Sequence, residues 1–305
     1  MSASARQAED SREARPVAAL RAGLAAAALF ITGVIGRAFA LPGLGVLAVF
    51  APFPLALARL QAGGTQAWLA AMLATGLVGS VAPPAASMTF AAGCAVPGLL
   101  IGSAVARGRG MLRGCLWAGS WLTAVAGLWL GVSGAQLAAS WASLLKEAES
   151  LGELGDGLRG ALPVIYPGLT VALAIGMVAI NAGLLYAYLK RHDPGWLEDG
   201  EFERLRWPFV LAVAFVVASL ALLWPAARAV SLNALLLCAL LFALQGLAVV
   251  AYFGARIVPP MALWLVALTF YLTHPLAPLL ALALLGLFDN WLDARRWADP
   301  PIEAE

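Results

Sequence analysis

A chain of 305 residues with 62% hydrophobic and only 12% charged side chains departs from a soluble domain, where about half of the residues are apolar and about a quarter charged. Its positive mean hydropathy makes lipid the expected solvent. A net charge of +2, without Lys/Arg clusters interleaved with aromatics, excludes a nucleic-acid partner.

A β-barrel would show alternating segments of about ten residues, but Ala22 to Gly36 and Val210 to Trp224 are continuously apolar. The expected fold class is therefore all-α, a polytopic transmembrane helical bundle. A span needs about 20 mostly apolar residues. Cutting at charges and Gly/Pro clusters gives eight spans, at 17–36, 41–59, 66–83, 85–106, 114–138, 163–189, 208–227 and 232–255. The first follows a polar tail, 1–16. The second carries Pro42, Pro52 and Pro54, which imply a broken or kinked helix. Residues 257–288 form either one long kinked helix or a hairpin turning at Thr273, His274 and Pro275. The total is nine to ten, within a range of eight to ten. These spans make one transmembrane domain, 17–291, ahead of a polar tail, 292–305.

Two polar interruptions stand out. Between residues 140 and 158, Trp141, Leu144, Leu145, Ala148 and Leu151 share a helical face, with Lys146, Glu147, Glu149 and Glu153 elsewhere. That pattern predicts an interfacial helix on the outer side. The loop 190–207, with His192, Asp193, Pro194 and Gly195, divides the chain into two halves on the inner side. With the amino terminus cytoplasmic, thirteen of the nineteen basic residues fall inside, as the positive-inside bias requires. The expected location is a bacterial inner membrane. Trp68, Trp207, Trp224 and Trp291 lie near span ends, where the headgroup layer suits an indole. Ala38, Phe39 and Ala40 have the form of a signal-peptidase site. Glu9, Asp10 and Glu13 in the leader, with Arg37 just upstream, argue for an uncleaved span.

The chemistry is read mostly from gaps. Ala14 to Leu145 contains no Asp, Glu or His, and between Glu203 and Phe288 the only such residue is His274. Proton-coupled carriers use intramembrane carboxylates or histidines as relays, and metal sites need His, Asp, Glu or Cys sets. No relay, metal, cofactor or enzyme activity is expected. A hydrolase using Ser120 and His274 is set aside, because His274 precedes a proline at a bend. Cys94, Cys115 and Cys238 read as small buried side chains. The GxxxG spacings Gly98 to Gly102 and Gly127 to Gly131 allow close helix approach. Asn181, Asn233, Gln245 and Thr170 sit deep in predicted spans, and an amide in hydrocarbon must find a partner. Asn181, Asn233 and Gln245 either bond helix to helix or line a cavity for a small polar solute.

Asn181 with Leu189, Lys190 and Arg191, then Phe202, Arg206, Trp207 and Pro208, resembles the central region of the YybS-like family of bacterial multi-pass membrane proteins. Asn233, then Gln245, Gly246, Leu247 and Ala248, and finally Leu285, Gly286, Leu287, Asp289, Trp291, Asp293 and Arg295 resemble that family's ending. Pro52, Phe53, Pro54, Leu55 and Arg59 are similar but looser. The family looks distantly like the substrate-binding subunits of energy-coupling-factor transporters. The resemblance implies a multi-pass membrane protein, and the distant one implies a bound small molecule and separate partner subunits. The expected function is small-molecule transport or substrate binding without an intramembrane proton relay. The alternative is a non-catalytic scaffold or assembly factor working through its polar loops. The expected partners are the lipid bilayer, a small polar solute and separate subunits.

Overall fold

A computed structural model describes residues 3–38, 42–147, 153–197, 202–257, 276–292 and 295, with side chains at 15–36, 44–133, 162–197, 202–254, 277–292 and 295. Among the described residues the fold is all-α, with nine helices and no strand. They are α1 (Ala3–Ala38), α2 (Pro52–Gln61), α3 (Gly64–Val81), α4 (Pro84–Ala106), α5 (Met111–Glu147), α6 (Glu153–His192), α7 (Val210–Ala221), α8 (Arg228–Ile257) and α9 (Leu276–Leu292). Among the described residues five stretches are long and apolar enough to cross a membrane: Arg15–Gly36, Pro84–Ala106, Met111–Ser133, Leu162–His192 and Pro225–Gly254.

Two expected spans are shorter than the sequence suggested, and proline is the reason. Over 41–59 a short turn and a 3₁₀ segment, Val46–Phe50, lead into α2, which begins at Pro52. Over 208–227 the helix stops at Ala221, twelve residues or roughly 18 Å in length. Trp224, just before Pro225, is extended (φ −96°, ψ 116°), as residues preceding proline tend to be. Of 257–288, residues 258–275 lie outside the described residues, so the choice between a hairpin and one kinked helix falls there too. The expected interfacial stretch is helical to Glu147 and again from Glu153, with 148–152 outside the described residues. α5 bends before it, at Ser133 (φ −127°, ψ 19°).

The contacts divide the chain into two compact units, Met1–Gly131 with Leu173–Asp199, and Val132–Ala172 with Gly200–Glu305. The core of the first is built largely of alanine: Ala26, Ala27, Ala51, Ala58, Ala67, Ala71 and Ala74 surround Phe30, Leu55 and Phe90. Small side chains let membrane helices approach, because lipid gives no hydrophobic drive for larger ones to meet. Gly98 and Gly102 serve this directly, since a Cβ on either would strike the backbone carbonyl of Pro52 or Ala56 on α2. Gly127 and Gly131 have nothing within 4 Å of such a Cβ, so only the first GxxxG spacing makes a close contact among the described residues. In the second unit Ala212, Cys238, Phe242, Ala243, Ala283 and Leu287 pack α7, α8 and α9 together.

Candidate functional site: polar side chains at helix breaks and a buried cluster

Proline creates backbone orphans in a helix, and this chain answers them with side chains. In α4 the turn Ala91–Ala95 is a π-bulge followed by Pro97. In that pattern the carbonyl of Ala92 would accept from residue 97, whose proline nitrogen carries no hydrogen. The indole Nε1 of Trp121 donates to it instead, at 2.8 Å. In the 3₁₀ segment the carbonyl of Val49 would accept from residue 52, again a proline. Here the amide Nδ2 of Asn181 donates at 2.7 Å, and also to Met177 O of its own helix at 2.8 Å.

A related bridge lies in α6, which contains Pro163 and Pro167, although the donor that Val164 O would use, Gly168, keeps its N–H. Asn233 of α8 donates through Nδ2 to Val164 O at 2.7 Å, while its Oδ1 accepts from the Gly168 N–H. Val164 and Gly168 are the two ends of one i to i−4 rung, so the Asn233 amide bridges that rung as a peptide group would. A Cβ at residue 168 would lie 2.6 Å from Oδ1, which is why the chain needs glycine there. Thr170 returns its hydroxyl to Tyr166 O, at 2.8 Å.

Gln245, on α8, belongs to a different arrangement. It is fully buried. Its Oε1 accepts from the backbone N–H of Trp207 at 3.0 Å, and its Nε2 donates to Asp289 Oδ2 at 2.8 Å. The same carboxylate oxygen meets Arg295 Nη2 at 2.5 Å, and both side chains are largely buried. Arg295 also donates to the carbonyls of Glu203 (2.6 Å) and Leu205 (3.1 Å). Arg206 reaches Asn290 O at 3.3 Å, and the Trp207 indole donates to Leu241 O at 2.7 Å. The cluster thus fastens the segment 202–207 to the middle of α8 and the end of α9. Among the described residues two buried side-chain acceptors have no hydrogen-bond partner: Asp289 Oδ1 here, and Asn181 Oδ1 in the first unit.

The three expected site residues fall in both units. Asn181 lies in the first unit. Asn233 and Gln245 lie twelve positions apart on α8, roughly 18 Å along its axis. Asp289, Asn290 and Arg295 escaped the sequence reading as site residues, although Asp289 and Arg295 were among those carrying the family resemblance. Trp207 is half-buried, and its indole N–H is bonded within the cluster. His274 lies outside the described residues, and Ser120 is exposed. Among the described residues no group of three His, Cys, Asp or Glu side chains is placed to hold a metal.

A helix-repair role for Asn181 has a measurable consequence. Asn181→Leu strands the Val49 carbonyl and should cost about 1–3 kcal/mol, read as a lower Tm in detergent. Adding Pro52→Ala, which restores a donor near that carbonyl, should recover part of the loss. Equal loss in the single and double variants would refute the repair.

Residues 146–290 match the family described as predicted membrane protein (DUF2232), consistent with the YybS-like resemblance. The matched stretch contains Asn181, Asn233, Gln245 and Asp289, while Pro52 to Arg59 and Arg295 fall outside it. No curated protein and no solved structure matches the chain. The chain is a membrane protein with several apolar helices.

Proposed function

We propose that this membrane protein handles a small, uncharged polar solute, as a substrate-binding or transport protein rather than an enzyme, without an intramembrane proton relay. The reading rests on Asp289. A buried acceptor left unpaired costs about 1–3 kcal/mol or more, and such a group calls for a water, an ion or a ligand to complete it. Arg295 already neutralises the carboxylate through Oδ2, so Oδ1 offers acceptor capacity without net charge. That suits a solute carrying an O–H or N–H donor better than a cation. Asn181 and Asn233 then act at a distance, holding proline-broken helices in shape, while Gln245 orients the carboxylate.

The test uses the intact protein in detergent with a panel of neutral hydroxyl and amide metabolites, beside cationic and apolar controls. A neutral donor should raise the Tm of the wild type and do nothing to the double variant Asp289→Leu/Arg295→Met, which removes the buried charges together. A ligand that stabilises both proteins equally would sink the assignment.

A second reading has its own observation. The segment 202–207 is pinned at several backbone points, and exposed Trp196, earlier in the same loop sequence, is held by Asp193 Oδ2 at 2.8 Å, as a scaffold displaying its inner loop would require. Deleting 193–201 should abolish activity in a scaffold and be tolerated by a solute-binding bundle. Both readings place the amino terminus in the cytoplasm of a bacterial inner membrane. Gly195→Cys in that loop should then be labelled by an impermeant thiol reagent only after the membrane is opened, and labelling of intact cells would reverse the orientation.

A further inference from the structure

The end of the first unit where α4 finishes, α5 starts and α6 finishes carries five exposed cations: Arg107, Arg109, Arg113, Lys190 and Arg191. They share one end because Val105, Met111, Leu185 and Leu189 meet in a single buried cluster beneath them. Two positive-φ glycines, Gly108 (φ 63°) and Gly110 (φ 80°), flank Arg109 and set the tight turn that crowds three arginines into seven residues. Among the side chains described at this end the carboxylate is Asp193, and it accepts from the Trp196 indole. Like charges so close repel one another unless an anion joins them.

We infer that this end binds the headgroup of an anionic phospholipid. Charge alone would suit any anion, but what lies beneath the cations suits an amphiphile. Arg109 sits 5.3 Å from the centre of the Trp117 ring and Lys190 5.8 Å from that of Tyr186, a pairing of cation and aromatic typical of the headgroup layer. Further along the same helices Leu116, Trp121 and Leu184 are exposed apolar side chains, where an acyl chain would run. Basic pockets between membrane helices are the expected receptors for acidic headgroups.

The experiment uses the full-length protein, delipidated and then offered phosphatidylglycerol, phosphatidylcholine or inorganic phosphate, with bound lipid counted by native mass spectrometry and Tm measured alongside. Phosphatidylglycerol should be retained and should raise the Tm, while phosphatidylcholine and phosphate should do neither. Arg107→Gln/Arg109→Gln/Arg113→Gln should weaken phosphatidylglycerol retention by about a hundredfold, whereas the matching triple lysine variant should keep most of it. Equal retention of both lipids, or retention unchanged in the glutamine variant, would overturn the site. Stabilisation by phosphate alone would replace the lipid with a soluble anion. If the glutamine variant does not fold, selective retention by wild type that is lost at high salt decides the matter, and salt-insensitive retention would count against it.

Discussion

Asp289→Leu alone should destabilise the protein by about 3–5 kcal/mol, because it leaves the Arg295 guanidinium largely buried without its counter-charge. The double variant Asp289→Leu/Arg295→Met should recover much of this, since replacing a buried pair by apolar groups of similar volume is often neutral. Recovery should be incomplete. Arg295 also donates to the carbonyls of Glu203 and Leu205, and these must find water or another donor once it is gone. Gln245 loses its acceptor on Nε2 as well. The measurement is a double-mutant cycle on Tm or denaturant midpoint, in which a strong coupling between residues 289 and 295 is expected. Additive effects would mean that the ion pair is a surface contact of little energetic weight.

The sequence disclosed the helices well and their joints poorly. Long uncharged runs could be cut into helices because lipid demands internally paired backbone, and the prolines at 42, 52 and 54 marked where the ladder must fail. Asn181 and Asn233 could be picked out as polar groups needing partners. The partners themselves were not legible. Val49 O lies 132 positions from Asn181, and Gly168 N lies 65 from Asn233, so each pairing depends on which helices become neighbours. Asp289 was hidden for another reason. It follows Phe288 at the close of an apolar run, where a carboxylate reads as the polar flank of the last span, and Arg295 reads as an ordinary basic residue beyond it. Only the fold, by bringing Gln245 and the 202–207 segment against them, turns two flanking charges into a buried cluster. The partner of Trp207 was hidden in the same way, since an indole near a span end gives no sign in sequence of whether its N–H faces water or, as here, the Leu241 carbonyl.

The crossing of α8 and α9 decides whether that cluster exists at all. Gly246 and Gly286 face each other so closely that a Cβ on Gly246 would run into the Leu282 carbonyl, and one on Gly286 into the Phe242 carbonyl. Backbone cannot give way as a side-chain tip can, so the helices must separate. Gly246→Val or Gly286→Val should therefore exceed the roughly 1–3 kcal/mol typical of overpacking and lower the Tm more than Gly127→Val, whose Cβ meets open space. The loss should also be shared with the polar cluster, because Gln245 adjoins Gly246 and Asn290 lies one turn beyond Gly286, bonding back to its carbonyl. Once the crossing is forced apart, the Gln245 Nε2 to Asp289 bond is out of reach. In a Gly246→Val background, Gln245→Leu should then cost much less than it does in the wild type, because the bond it removes is already broken. If the two changes instead add fully, the glycines set the spacing of the helices without setting the cluster, and Gln245 must hold Asp289 and Trp207 by a contact that survives the separation.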